Sequence, residues 1–257
     1  MQWFIGTSGW SYPHWRGVFY PPGLPQRQWL AWYARQFRSV EINGSFYRLP
    51  SQDTLLAWKA ATPDDFVFSL KASAFITHRK KLADPELGLP ALLEVAHTLG
   101  EKLGPVLFQL PPRWHVNLPR LAAFLDALPP TLRYVFELRD PSWHCAAVYE
   151  RLAARRIACC RFDLHGLASP QVCTADFAYV RLHGPDGPYG GLYGKARLEA
   201  WAERLAALPV QSIYCYFDND QLGHAARDAR AMQELVAIQH GQMAGQAALP
   251  HGQERIY

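Results

Sequence analysis

The sequence predicts an α/β protein folded as a single (β/α)8 TIM-like barrel of parallel strands. Eight short apolar runs, each of strand length and rich in β-branched or aromatic residues, recur along the chain. Helical periodicity separates most of them, and strand–helix alternation calls for a parallel sheet. The chain has 257 residues and is 49% hydrophobic, so eight units favour a closed barrel over a doubly wound sheet.

The expected strands occupy residues 3–7, 39–43, 66–71, 105–110, 134–139, 157–163, 177–183 and 212–217. After the first strand, Trp29, Leu30, Tyr33 and Phe37 space a helix. After the second, Leu55, Leu56 and Trp58 mark another, with Ser51 as its N-cap. Leu92, Leu93, Ala96, Leu99 and Leu103 form the third, and Leu118, Leu121, Phe124, Leu125 and Leu128 the fourth. Val148, Tyr149 and Leu152 sit in a fifth. The link from Asp163 to Phe177 is poorly helical, and Gly166 and Pro170 suggest a loop there. Leu198, Trp201, Leu205 and Leu208 pattern the next helix. Ala225, Ala229, Met232 and Val236 pattern the last, with Asp220 a candidate cap. Residues 1–238 read as one domain, and 239–257, where periodicity stops, as a tail.

Composition excludes some functions. A formal charge of +4 is low for a general nucleic-acid binder. The short basic clusters at 78–81 and 151–156 read as a solvated loop and a helix face. Five cysteines without a CxxC pair read as thiols in a reducing compartment. The first residues carry no signal-peptide pattern and no run reaches membrane-helix length, so the expectation is a cytoplasmic protein. GxSxG, Walker, GxGxxG and HExxH motifs are absent.

Strand parity points to a site. Val40 and Ile42 alternate with Glu41 and Asn43; Phe68 and Leu70 with Ser69 and Lys71. Phe136 and Leu138 alternate with Glu137 and Arg139, and Val180 and Leu182 with Arg181 and His183. Gln109 ends the fourth strand. The apolar set is expected to face the helices and the polar set the interior, near the C-terminal ends where barrel enzymes keep their sites. Glu41, Glu137 and His183 are the candidate catalytic groups. Glu137 is expected to stay ionised as a base because Arg139 shares its face, and Glu41 to act as the acid. Asn43, Tyr47, Lys71, His78, Gln109, Arg139, Trp143, Arg181 and Asn219 are the candidate substrate-binding residues. Lys71, Arg139, Arg181 and His183 would give the pocket a positive field suited to phosphate or carboxylate. Aromatic loops, among them Trp10, Tyr12, Tyr47 and Tyr189, either stack on a ligand or cap the barrel. No cofactor is expected, although Glu41, Glu137, Asp163 and His183 form a conceivable divalent-metal set. For each residue taken singly, the plainer reading is a structural ion pair.

Seven stretches, in order, resemble the YecE-like family, domain of unknown function 72. They are GTSGWSY with FYPP (6–22), VEINGSFYRLP (40–50), FSLKAS with ITH (68–78), FQLPP (108–112), FELRDPSW (136–143), YVRLHG (179–184) and the YFDND region (216–220). The resemblance implies a TIM-like barrel and no particular reaction. The resemblance implies two asparagines at the positions where this chain has Asp218 and Asn219, and Gly44-Ser45 resembles a variant of a Ser/Thr-rich pair.

The residues therefore support an enzyme acting on a small anionic substrate, phosphorylated or carboxylated, by hydrolysis or acid–base chemistry. One alternative is a nucleic-acid binding or processing protein using the same rim and the aromatic loops. Another is a barrel that binds a ligand without changing it.

Overall fold

The strands form where the apolar runs predict them, and their pairing decides the architecture. The computed structural model describes residues 1–164 and 167–247. Its strands are β1 (Gln2–Thr7), β2 (Ser39–Ile42), β3 (Val67–Lys71), β4 (Leu103–Gln109), β5 (Tyr134–Glu137), β6 (Ala158–Cys159), β7 (Arg161–Leu164), β8 (Leu167–Ala168), β9 (Phe177–Leu182) and β10 (Ser212–Phe217). The helices are α1 (Trp29–Tyr33), α2 (Gln52–Ala60), α3 (Leu89–Leu99), α4 (Leu118–Asp126), α5 (Ala146–Ala154), α6 (Gly194–Ala206) and α7 (His224–Ala247).

The strands pair as two five-stranded sheets, ordered β1-β10-β9-β7-β8 and β2-β3-β4-β5-β6. All pairs are parallel except the hairpin of β7 with β8. This differs from one continuous eight-stranded ladder. The run expected as a sixth strand divides at Cys160: β6 pairs with β5, and β7 turns to pair with β9. At the other side, β1 meets β2 through a single parallel bridge, Ser8 to Glu41, and the Gly9 N–H donates to the Glu41 carbonyl at 2.8 Å.

Parity sorts side chains as expected. Val40, Ile42, Phe68, Leu70, Phe136, Val180 and Ile213 join the large core against the helices. Phe4, Leu107, Val135, Cys160, Tyr179, Tyr214 and Tyr216 form a second apolar cluster on the opposite face. With both faces covered, β2, β5, β9 and β10 are buried along their whole length, as parallel sheets require. The Tyr216 hydroxyl sits 2.5 Å from Ser39 Oγ and 2.7 Å from Ser69 Oγ, bonding across the two sheets.

Ser51 caps α2, accepting from the Thr54 N–H at 3.3 Å. Asp220 does not cap α7. A 3-10 turn, Gln221–Gly223, intervenes, and the Asp220 carboxylate lies 3.6 Å from His14 Nε2. Among the described residues no helix lies between β7 and β9. α7 runs on to Ala247, past the loss of periodicity at residue 238; residues 248–257 of the expected tail lie outside the described residues. No helix among the described residues is long and apolar enough to cross a membrane.

The β1–β2 junction depends on Gly6. A Cβ there would sit 2.0 Å from the Ser39 carbonyl oxygen and 2.8 Å from the Tyr33 hydroxyl. That hydroxyl itself donates to Ser39 O (3.0 Å) and accepts from the Thr7 N–H (2.9 Å). Gly6→Ala is expected to force the strands apart and cost at least about 3 kcal/mol, read as a lower urea midpoint. A midpoint within error of wild type would show that the junction yields freely.

Candidate functional site

β9 delivers Arg181 into the space between the two sheets, where its guanidinium is buried. A buried guanidinium must find several acceptors. Nε and Nη2 donate to the two oxygens of Glu41 at 3.0 and 2.9 Å. Nη1 donates to Glu137 Oε2 at 2.9 Å and to Gln109 Oε1 at 3.3 Å. Nη2 also donates to Asp218 Oδ2 at 3.0 Å and Ser8 Oγ at 3.2 Å. Glu41 is further held by the Tyr179 hydroxyl (2.7 Å) and by Ser8 Oγ, and Glu137 by Arg139 Nε. His183 closes the network. Its Nε2 lies 3.1 Å from Arg139 Nη2, and its Nδ1 lies 2.9 Å from Asp218 Oδ2 without an in-line hydrogen bond. Because Arg139 donates to Nε2, the ring proton belongs on Nδ1, facing Asp218.

Burial by itself would push the Glu137 carboxyl up, but Arg139 and Arg181 outweigh it and hold the group well below the usual range. Asp218 is likewise held low: burial opposes, and Arg181 and His183 prevail. Three carboxylates thus offset two guanidiniums, and the expected positive field is largely cancelled within the network.

Above this floor lies a cavity of about 640 Å³. It opens at the C-terminal ends of β10, β1, β2 and β3, over the junction where no ladder joins the sheets, as crevice sites in parallel α/β folds do. Trp10, Tyr12, Tyr47, Trp58 and Tyr189 line it, with Asn43, Arg48, Lys71, Asp218 and Asp220 among its polar groups. Lys71 ends β3, and Ser45 Oγ clamps its carbonyl at 2.6 Å. Its ammonium donates to Asn43 Oδ1 at 3.1 Å and lies 4.5 Å from the centre of the Phe46 ring. Burial, followed by Arg181, lowers its pKa to about 8, against the opposite pull of Glu41, Asp218 and Glu137.

Of the residues expected in the site, Asn43, Tyr47 and Lys71 line the cavity. Glu41, Glu137, His183, Gln109, Arg139 and Arg181 belong to the network beneath it, with the acceptors of both glutamates engaged. His78 does not line the cavity; its ring packs edge-on to Phe46 at 4.9 Å. Trp143 and Asn219 lie elsewhere. The Trp143 indole N–H donates to the Trp114 carbonyl at 2.6 Å, and the Asn219 amide donates to Gly191 O and Asp228 Oδ2, each at 2.8 Å. The conceivable metal set does not assemble, because Arg181 stands between Glu41 and Glu137. Among the described residues no group of three or more His, Cys, Asp or Glu is arranged to hold a metal.

Sequence reasoning missed Ser8, Arg48, Tyr179, Asp218 and Asp220 as parts of the site. Parity carried a signal for three of them, since Tyr179 shares a face of β9 with Arg181. Phe4, Gly6 and Ser8 alternate along β1, and Tyr214, Tyr216 and Asp218 alternate along β10 and one residue beyond.

The chain belongs to the family described as protein of unknown function DUF72, whose model matches residues 4–254. It is similar to UPF0759 protein YecE of Escherichia coli (strain K12), 33% identical over 153 residues; the match covers 59% of this chain and 54% of YecE, about half of that protein. UPF0759 protein YunF of Bacillus subtilis (strain 168) is 26% identical over 280 residues, covering 94% of this chain and 97% of YunF. Among solved structures, a DUF72 family protein from Thermotoga maritima MSB8 has a TM-score of 0.82 at 28% identity, covering 92% of this chain and all of that one. A second, from Enterococcus faecalis V583, has a TM-score of 0.77 at 19% identity, with 92% and 96% covered.

Two outcomes follow for stability. Arg181→Met removes the guanidinium shared by three buried carboxylates and should cost about 3–5 kcal/mol in a denaturant titration. A carboxyl held low in the folded state adds stability above its unfolded pKa, and that stability is lost as pH falls. Wild-type stability should therefore decline below about pH 4.5, the ordinary Glu range. Glu137→Gln should flatten that decline; an acid limb as steep as wild type would mean that Glu137 is not held low.

Proposed function

We propose that the protein is an enzyme that binds a small carboxylated or phosphorylated substrate in the cavity and transforms it by acid–base chemistry. The observation that carries this reading is a pair of opposite charges facing one cavity. Lys71 and Asp218 are only 7% and 4% exposed, yet both line the space. Buried ionisable groups at the C-terminal ends of parallel strands are the usual setting of catalysis in such folds. Arg48, at the rim, takes the anionic group of the substrate. The reacting end lies between Lys71 and Asp218. Asp218, kept ionised and positioned by Arg181, serves as the base.

In this reading Glu41 and Glu137 are not the acid–base pair. They hold Arg181, which in turn holds Asp218. We also propose that the two sheets make up one TIM-like barrel around the ion network. The Ser8–Glu41 bridge at one join and the continuous backbone through Cys160 at the other support closure. A cytoplasmic setting is part of the same proposal.

Inorganic phosphate is the simplest probe. At tenfold excess over its Kd it should stabilise the fold by about 1.4 kcal/mol, roughly 3–5 °C in a thermal melt for a chain of this size. Arg48→Ala should lose most of that shift. Absence of any shift, or an equal shift in Arg48→Ala, would overturn the anion-binding part of the reading.

A further inference from the structure

Two lysines are buried in this fold, and they are satisfied very differently. Lys102 is structural: its ammonium donates to Lys59 O (2.7 Å), Thr62 O (2.8 Å) and Thr62 Oγ1 (3.2 Å), one acceptor for each proton. Lys71 has one oxygen acceptor, Asn43 Oδ1, and the face of Phe46. Among the described residues no carboxylate lies within 4.0 Å of its nitrogen, although Glu41, Glu137 and Asp218 are all nearby and committed to Arg181. A buried amine that is neither ion-paired nor fully hydrogen-bonded, and that opens on a cavity, is suited to lose its proton and attack an electrophile.

We infer that Lys71 is a covalent nucleophile that forms an imine with a small aldehyde or ketone bearing one carboxylate or phosphate. This rests on the preceding reading and narrows its substrate class. The Nζ lone pair forms a bond to the carbonyl carbon while the C=O π pair moves to oxygen. The nitrogen gives up a proton, the oxygen gains one, and a carbinolamine results. A second proton on that oxygen lets it leave as water while the nitrogen lone pair forms C=N; no redox change occurs. Asp220 lines the same cavity, and burial together with Asp218 raises its carboxyl, so it can exchange protons with the departing oxygen. The protonated imine draws electrons from the adjacent carbon, and Asp218 is the base available to take a proton from it.

The groups that govern the Lys71 charge come from several strands. Arg181 of β9 favours the neutral amine; Glu41 of β2, Glu137 of β5 and Asp218 after β10 oppose it; and His78 lies beyond Phe46. With a pKa near 8, roughly a tenth of the amine is neutral at pH 7, about two orders of magnitude more than for an exposed lysine.

The test is reductive trapping of the full chain with cyanoborohydride at pH 7, using pyruvate, glyoxylate and dihydroxyacetone phosphate as separate probes. Peptide mass spectrometry then locates the adduct. The chain has six lysines, 59, 71, 80, 81, 102 and 195, so selectivity is read directly in the wild-type protein. At least one probe should modify Lys71 ten or more times faster than Lys80 or Lys195, and the pH profile should level off near 8. Lys71→Arg, which keeps the charge, should lose the adduct while keeping a cooperative thermal melt. Adducts spread evenly over the lysines, or mapped elsewhere, with every probe would overturn the imine. If phosphate still stabilises the protein in that case, the anion-site reading stands alone; if it does not, both fall.

Discussion

The guanidinium of Arg181 is the contact on which the interior of this molecule depends. It bonds to carboxylates from β2, β5 and the end of β10, and so joins the two sheets where their ladders do not. Removing several charges from water is costly, and the cost is offset only when every lone pair and proton finds a partner. Here Tyr179, Ser8, Gln109 and Arg139 complete the set. The network is therefore a structural keystone that orients the groups around it.

That division explains why the cavity sits where it does. The β1–β2 junction has a bridge in place of a ladder, with Gly6 allowing the backbones to approach closely. The loops that follow these strands, carrying Trp10, Tyr12 and Tyr47, rise around the gap and wall it with rings. Beneath, Arg181 draws the nearby carboxylates toward itself. Lys71 is thereby left without an acidic partner in a poorly hydrated place, which favours its neutral form. The same guanidinium that stabilises the fold leaves the amine uncommitted.

Membership of the DUF72 family and the likeness to the Thermotoga maritima structure fix the architecture to a known type without supplying a reaction. The chemistry has to be argued from the side chains, since one fold carries many activities. In this chain the polar groups that face the cavity include Asn43, Arg48, Lys71, Asp218 and Asp220, while Glu41 and Glu137 do not line it.

The sequence by itself determined the positions of nearly all the strands, the alternation of helix between them, and which face of each strand is polar. A period of two is a local property, so Val40 and Ile42 had to oppose Glu41 and Asn43 whatever the rest of the chain did. The tertiary structure decided which polar residues line the cavity and which bond to one another. Arg181 and Glu41 are separated by 140 positions, and nothing in either strand's pattern reveals that they bond. It also decided that the run at 157–163 divides at Cys160, because a strand's partner depends on backbones far away in sequence. Trp143 and Asn219 turned inward for a related reason: a buried donor takes the nearest acceptor, Trp114 O for the indole and Asp228 for the amide. Parity sets the face of a side chain; only the packed distances between strands set its depth and its partner.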